Sequence, residues 1–184
     1  MVLGPILEGT KVRLEPPSLD HMAAWIGWRA DTRVTRYLTF RTPRTLKGQA
    51  ELLETTAKDN SIVAWSIVVC ESGQHVGGAS LEKIQWRTRN AECGLTIGET
   101  SAWGKGYATE AGAMVTRYAF RELNLEKVWA TVMGDNASRK TLEKLGYRQC
   151  GLMRRHGFVD GRWHDQWLGE IRRDEWEARE ENKK

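Results

Sequence analysis

The stretch from Ala91 to Gly134 constrains this chain more than any other. It reads as a strand, AECGLTIG (Ala91 to Gly98), a loop carrying WGKG (Trp103 to Gly106), a helix to about Leu123, and a second strand, KVWATVMG (Lys127 to Gly134). Two strands joined through a helix in one sheet lie parallel, and such a crossover is right-handed. The flanking sequence reads differently. TKVRLEP (Thr10 to Pro16) alternates like a strand, and Ser18 stands where an N-cap belongs for a helix through Trp28. Thr42-Pro43, cap then first-turn proline, opens a helix running to about Lys58. Ile62 to Cys70 and Val76 to Gln85 form a hairpin across the turn-like ESGQH. After the crossover, Asn136 to Leu145 is a short helix ended by Gly146, Tyr147 to Phe158 is a strand, and the Asp-Gly of VDGRW turns it into a last strand from Arg162. The fold class that follows is α/β (α+β): a mixed, mostly antiparallel sheet of about seven strands, twisted and flanked by helices.

With 184 residues, no internal repeat, no low-complexity tract and no Pro/Gly/Ser linker, one domain spanning 1–184 is expected. The tail DEWEAREENKK reads as a charged, fraying helix (175–184) whose role is solubility. The longest uncharged apolar run, Ser61 to Cys70, is about half a membrane span and reads as a buried strand. MVLGPILEGTKVR has no basic leader followed by a long apolar run, so a cytoplasmic protein without a membrane partner is expected. Cys70, Cys93 and Cys150 are scattered and lack C-x-x-C spacing, which points to buried free thiols rather than a disulfide framework or a metal site. The net charge of +4 is too small to name a partner. Arg29, Arg33, Arg36, Arg41, Arg44 and Lys47 are opposed locally only by Asp31. A solvated helical face accounts for them, with an acidic substrate as the alternative; direct nucleic-acid binding is not expected.

Gly104 and Gly106 sit where the strand-loop ends and the helix begins. Helix N-termini present unpaired N–H groups and partial positive charge, so they hold anions through backbone alone, and glycine lets the ligand come close. Two phosphate loops fail on spacing. The P-loop needs G-x-x-x-x-G-K-[ST], but Gly98 is one residue too far from Gly104 and Gly106 follows Lys105. The dinucleotide fingerprint needs a glycine where Thr109 stands. The stretch Ser101-Ala102-Trp103-Gly104-Lys105-Gly106 instead resembles the Q/R-x-x-G-x-G/A pyrophosphate loop of the GNAT superfamily of acyl-CoA-dependent N-acetyltransferases, with serine in place of the leading Gln/Arg. WGKGYATEA is most similar to the RimJ/RimL-like branch, the ribosomal-protein-alanine N-acetyltransferase type. LEGTKVRLEP, AECGLTIG and DNASRKTLEKLGY extend the resemblance over nearly the whole chain.

The resemblance implies acetyl-CoA as co-substrate, no metal, and splayed central strands, Ala91 to Gly98 and Val128 to Gly134, admitting the pantetheine arm. It implies that backbone around Trp103, Gly104, Lys105, Gly106, Tyr107, Ala108 and Thr109 cradles the pyrophosphate. An amide among Leu95, Thr96 and Ile97 would serve the oxyanion. The family's asparagine position falls on Asp135, one residue before Asn136, which is the candidate for the pantetheine amides. The family's tyrosine acid falls on Leu142. A thiol of pKa about 8.5 leaves tolerably as the anion, so a missing acid costs less here than in ester chemistry. Ser138 is the candidate donor to the sulfur, with a helix N-cap as its alternative role. Glu92 matches the glutamate of superfamily histone acetyltransferases and is the candidate base; a structural ion pair with Arg87 or Arg89 is the alternative. Trp25, Trp28, Trp163 and Trp167 lie in acceptor-side segments, and Trp25, Trp28 and Trp163 are the substrate-binding candidates. His156 and His164 suit no metal motif and read as surface residues. The expected acceptor is a protein or peptide N-terminal α-amine; a small amine such as an antibiotic, polyamine or amino acid, and a non-catalytic acyl-CoA-binding module, are the alternatives. A homodimer stays open.

Overall fold

In a computed structural model, which describes residues 3–38 and 45–182, the chain folds around a seven-stranded sheet. The elements run β1 (Val12–Glu15), α1 (Leu19–Ala30), α2 (Thr32–Thr35), α3 (Leu46–Lys58), β2 (Val63–Val69), β3 (His75–Gln85), β4 (Asn90–Ile97), α4 (Tyr107–Arg121), β5 (Lys127–Met133), α5 (Ser138–Leu145), β6 (Arg148–Val159), β7 (Arg162–Arg172) and α6 (Arg173–Glu181). The strand order is β1-β2-β3-β4-β5-β7-β6. Every neighbouring pair is antiparallel except β4 and β5, the two strands joined through α4.

Local chemistry explains most boundaries. Ser18 caps α1 in a capping box with His21. Asp160-Gly161 makes the β6–β7 turn with both residues at positive φ, the conformation a tight hairpin turn demands. Gly146 ends α5 in the left-handed region. The helix α3 is capped by Thr45, three residues after the expected Thr42; Thr42-Pro43 lies outside the described residues, as do Arg41 and Arg44.

The core is built under α4. Ala111, Met114, Val115, Ala119 and Phe120 are buried against Val12, Ile67, Leu81, Ala91 and Val128 of the sheet. Burial on this scale contributes roughly 1.5–3 kcal/mol per large side chain. Gly112 lets α4 approach closely, because a Cβ there would meet Leu145 Cδ1 at 2.6 Å and Leu95 Cδ1 at 2.9 Å.

Two expectations are corrected here. The tail is not a fraying appendage: Trp176 of α6 is 6% exposed and packs on Phe120, 5.3 Å between ring centroids, and Arg173 donates to the Leu125 carbonyl. An aromatic at one position in a charged helix was enough to dock it. Of the cysteines, only Cys93 is buried; Cys70, just past the end of β2, and Cys150, in the edge strand β6, are exposed.

Candidate active site

The site follows from where β4 and β5 part. Their parallel ladder pairs Asn90 with Lys127, Ala91 with Val128 and Glu92 with Trp129, and then stops. Beyond Glu92, β4 stays paired to β3 as far as Ile97, and β5 stays paired to β7 as far as Met133. The central strands therefore splay, and a cleft of about 1140 Å³ opens between them.

The backbone of β4 lines one wall. The Gly98 N–H bonds to the Val76 carbonyl on the β3 side, whereas the Ile97 carbonyl accepts from Trp103 Nε1 at 2.8 Å on the other side. Backbone direction alternates along a strand, so Leu95 shares the side of Ile97 and presents its N–H and C=O to the cleft, while Thr96 presents its own to β3. Within the expected trio, Leu95 and Ile97 carry the amides on the cleft side, and Leu95 is the one whose carbonyl is not taken by Trp103.

The floor of the cleft is the start of α4. Gly106 is its N-cap at φ +86°, with no side-chain cap, and Gly104 also stands at positive φ, +76°. An L side chain in that region costs about 1–2 kcal/mol, which is why the loop needs glycine. The uncapped first turn leaves the N–H groups of Tyr107, Ala108 and Thr109 facing the cleft that these residues line. This donor set fits a pyrophosphate. Lys105 points elsewhere: it lines a smaller recess with Lys11, whose Nζ donates to the Lys105 carbonyl at 3.2 Å. The Ser101 hydroxyl, in the place of the expected Gln/Arg, is held by Glu99.

Glu110 fixes this floor. Its carboxylate accepts N–H bonds from Thr10 at 2.5 Å, Lys11 at 2.9 Å and Val12 at 3.2 Å, which locks the first turn of α4 to β1. The partners lie about a hundred residues away in sequence, so no local signal marked them.

On the far wall, Asn136, Ser138, Thr141 and Leu142 line the cleft. The cap role considered for Ser138 belongs to Asn136: its Oδ1 accepts the Ser138 N–H at 2.9 Å and its carbonyl accepts the Arg139 N–H. Asn136 keeps its Nδ2 for a ligand, and Ser138 keeps its hydroxyl. Leu142 is buried in the tyrosine position, 4% exposed.

Glu92 sits at the branch point, its side chain 15% exposed. Its Oε2 pairs with Lys83 Nζ at 2.6 Å and its Oε1 accepts from Thr131 Oγ1 at 3.1 Å. The ion pair considered with Arg87 or Arg89 is therefore with Lys83, because Arg89 is taken by Glu126 at 2.8 Å. The neighbouring Cys93 points the opposite way, toward Tyr147, which shares a 3.0 Å hydrogen bond with Thr116. Burial pushes the Cys93 thiol up to about 12 and raises Tyr147 well above the usual phenol value.

Trp25, Trp28 and Trp163, the substrate-binding candidates, are not among the residues that line the cleft. Trp28 lies over Gly98, where a Cβ would meet its ring at 2.1 Å, and packs on His75; Trp25 lies over Gly78. Trp163 is 53% exposed on the β6–β7 hairpin, against Phe158. The mouth is formed instead by Arg33, Arg36 and Tyr37, around the short helix α2, and by Asp160, which pairs with Arg36 at 2.8 Å.

A split parallel pair, an uncapped glycine-led helix and strand amides facing the gap make a cleft whose donors suit a phosphate-bearing ligand laid along a sheet. Comparison with known proteins names the class. Residues 11–148 match the acetyltransferase (GNAT) domain, and the chain belongs to that family of N-acetyltransferases. An uncharacterised N-acetyltransferase of Bacillus licheniformis is 31% identical over 144 residues, covering 76% of this chain and 80% of that protein. A Bacillus subtilis protein provisionally named a ribosomal N-acetyltransferase is 33% identical over 107 residues, 58% of each chain. The structure of spermidine N-acetyltransferase from Vibrio cholerae, in complex with CoA and spermine, superposes with a TM-score of 0.83 at 20% identity, over 91% of this chain and 99% of that one. Among the described residues, no helix is long and apolar enough to cross a membrane.

Proposed function

We propose that this acetyltransferase uses acetyl-CoA and moves the acetyl group to a primary amine by direct attack, with a protein or peptide N-terminal α-amine as acceptor. The observation that carries the reading is the parting of β4 from β5 beyond Glu92, beside the uncapped start of α4. Bound acetyl-CoA supplies an activated acetyl thioester. The N–H groups from Gly104 to Thr109 hold its pyrophosphate, and Asn136 Nδ2 meets its amide-bearing arm. The Leu95 N–H donates to the developing oxyanion, and the Ser138 hydroxyl donates to the departing sulfur.

The amine must arrive at the reaction neutral. An α-amino group of pKa about 7.7–8.0 is substantially neutral near pH 7, whereas a lysine near 10.4 is not. Glu92 takes the remaining proton, directly or through water, while Thr131 orients its second oxygen. Direct transfer is supported by the state of Cys93, the one cysteine among the lining residues described, whose thiol turns away toward Tyr147. A thiol pushed up to about 12 stays protonated and makes no acyl-enzyme. The relative named for ribosomal N-acetylation supports the α-amine acceptor.

Free-thiol release from acetyl-CoA with peptides beginning Ser, Ala, Thr or Met, alongside polyamines, aminoglycosides and amino acids, tests the acceptor. Turnover on peptides is expected; turnover only on small amines would replace the acceptor class. Glu92→Gln is expected to lower kcat/KM at pH 7 by about 10²-fold, the lower end of general-base contributions. Full activity in that variant would remove the base from the mechanism.

A further inference from the structure

We infer that Lys83 limits the positive charge an acceptor can carry, making the site one for amines with a single ammonium rather than for polyamines. The inference rests on the reading that Glu92 faces the acceptor.

The sheet register sets Glu82 of β3 directly opposite Glu92 of β4. Like charges so placed repel and need a cation. The Glu82 carboxylate accepts from Ser80 Oγ at 2.7 Å and reaches over Gly94, where a Cβ would lie 3.5 Å from Glu82 Oε1. Gly94 and Glu92 line the cleft, and Glu82 reaches over Gly94 from just outside that lining. The regular ladder then breaks between Glu82 and Gln85, with Lys83 in the left-handed region at φ +53°. That irregularity lies beside the two carboxylates, and Lys83 Nζ reaches Glu92 Oε2 at 2.6 Å, with the Trp129 ring 5.2 Å below it. From β5, Trp129 and Thr131 complete the surroundings.

The charge count decides the consequence. At this corner of the cleft, apart from the paired Arg33–Asp31 and Arg36–Asp160 at the mouth and Asp135 and Lys144 on the far wall, two carboxylates and one tethered ammonium leave a single local negative charge. One protonated amine neutralises it. A second ammonium on the same molecule would have to displace Lys83, which is covalently tethered and holds its place at high effective concentration. Lys83 thus occupies the position that a polyamine's second charge would need.

Butylamine and putrescine share a chain and differ by one ammonium, so they read this directly, as acceptors in thiol release and as competitors of the peptide reaction. Lys83→Met is expected to raise the putrescine-to-butylamine preference by about tenfold, the scale of one partly shielded charge pair. Lys83→Gln must reproduce it, which guards against a folding defect in one variant. Lys83→Arg, which keeps the charge, is expected to leave the preference unchanged, and acetyl-CoA affinity is expected to stay constant throughout. An unchanged preference in both neutral variants, no putrescine binding in either, or an equal shift in Lys83→Arg would overturn the inference. Glu92→Gln separates the two ideas: full activity there removes the base role, while the preference in the Lys83 variants still decides the charge limit.

Discussion

Replacing Glu110 by alanine should loosen the floor of the site more than any other single change at an unburied carboxylate. Three backbone N–H groups, of Thr10, Lys11 and Val12, lose one acceptor at once. Val12 is fully buried, so its N–H pays close to the desolvation cost, about 1–3 kcal/mol, while Thr10 and Lys11 can turn to water and lose less. The acidic group also leaves the first turn of α4, where it interacts with the helix dipole for about 0.3–1 kcal/mol. Together these give about 2–4 kcal/mol, or roughly 5–15 °C in Tm for a chain of this size. Glu110→Gln keeps one oxygen acceptor and should lose about half as much. Thermal unfolding by circular dichroism ranks the three proteins, and amide hydrogen exchange should quicken at residues 10–12. Because the same turn offers the N–H groups of Tyr107 to Thr109, acetyl-CoA binding should weaken in parallel. A Glu110→Ala protein melting within 1–2 °C of the parent, with unchanged exchange at residues 10–12, would refute the reasoning.

The remaining predictions concern other joints of the fold. Gly106→Ala forces an L side chain to φ +86° and should weaken acetyl-CoA binding about tenfold by calorimetry, since the local cost is about 1–2 kcal/mol; unchanged affinity would free the loop from its proposed role. Trp176→Ala should cost about 3 kcal/mol in denaturant unfolding, because the ring is buried on Phe120; a loss below about 1 kcal/mol would return α6 to a solubilising tail. Burial holds His75 down at about 4, against 6.5 when unfolded, so above pH 6.5 it contributes nothing to pH dependence. As pH falls from 6.5 toward 4 the unfolded chain takes up the proton first and stability falls, by about 1–2 kcal/mol after allowing for the ring's partial exposure. His75→Phe should remove that part of the decline in unfolding free energy between pH 7 and 4.5; parallel curves for the two proteins would contradict the assignment.

The sheet was legible because its signals are local. Alternation in TKVRLEP, the Asp-Gly turn at 160–161 and the Ser18 cap each act within a few residues, and the structure uses all three. The helix α2 was missed because Thr32–Thr35 is a single turn capped by Asp31, too short for periodicity to register. The tail was misread for a related reason. Its composition is dominated by charge, and the one residue that docks it, Trp176, finds Phe120 only in three dimensions.

The site divides along the same line, between groups presented by backbone and groups set by long-range partners. Glycines at 104 and 106 announce an anion loop because the constraint is conformational and sits in the residue itself. The state of Glu92 was not announced, because it depends on the irregularity in β3 that goes with Lys83 in the left-handed region, and on Thr131 across the last rung of a ladder that ends there. A strand reading of Val76 to Gln85 carries strict alternation through Lys83 and places it by parity alone. The irregularity removes that guide, and a carboxylate read as either base or ion-pair partner turns out to hold an ion pair at the edge of the cleft. In the resting protein, Glu92 has both oxygens engaged, so any acceptor amine must share it with a lysine that the fold supplies.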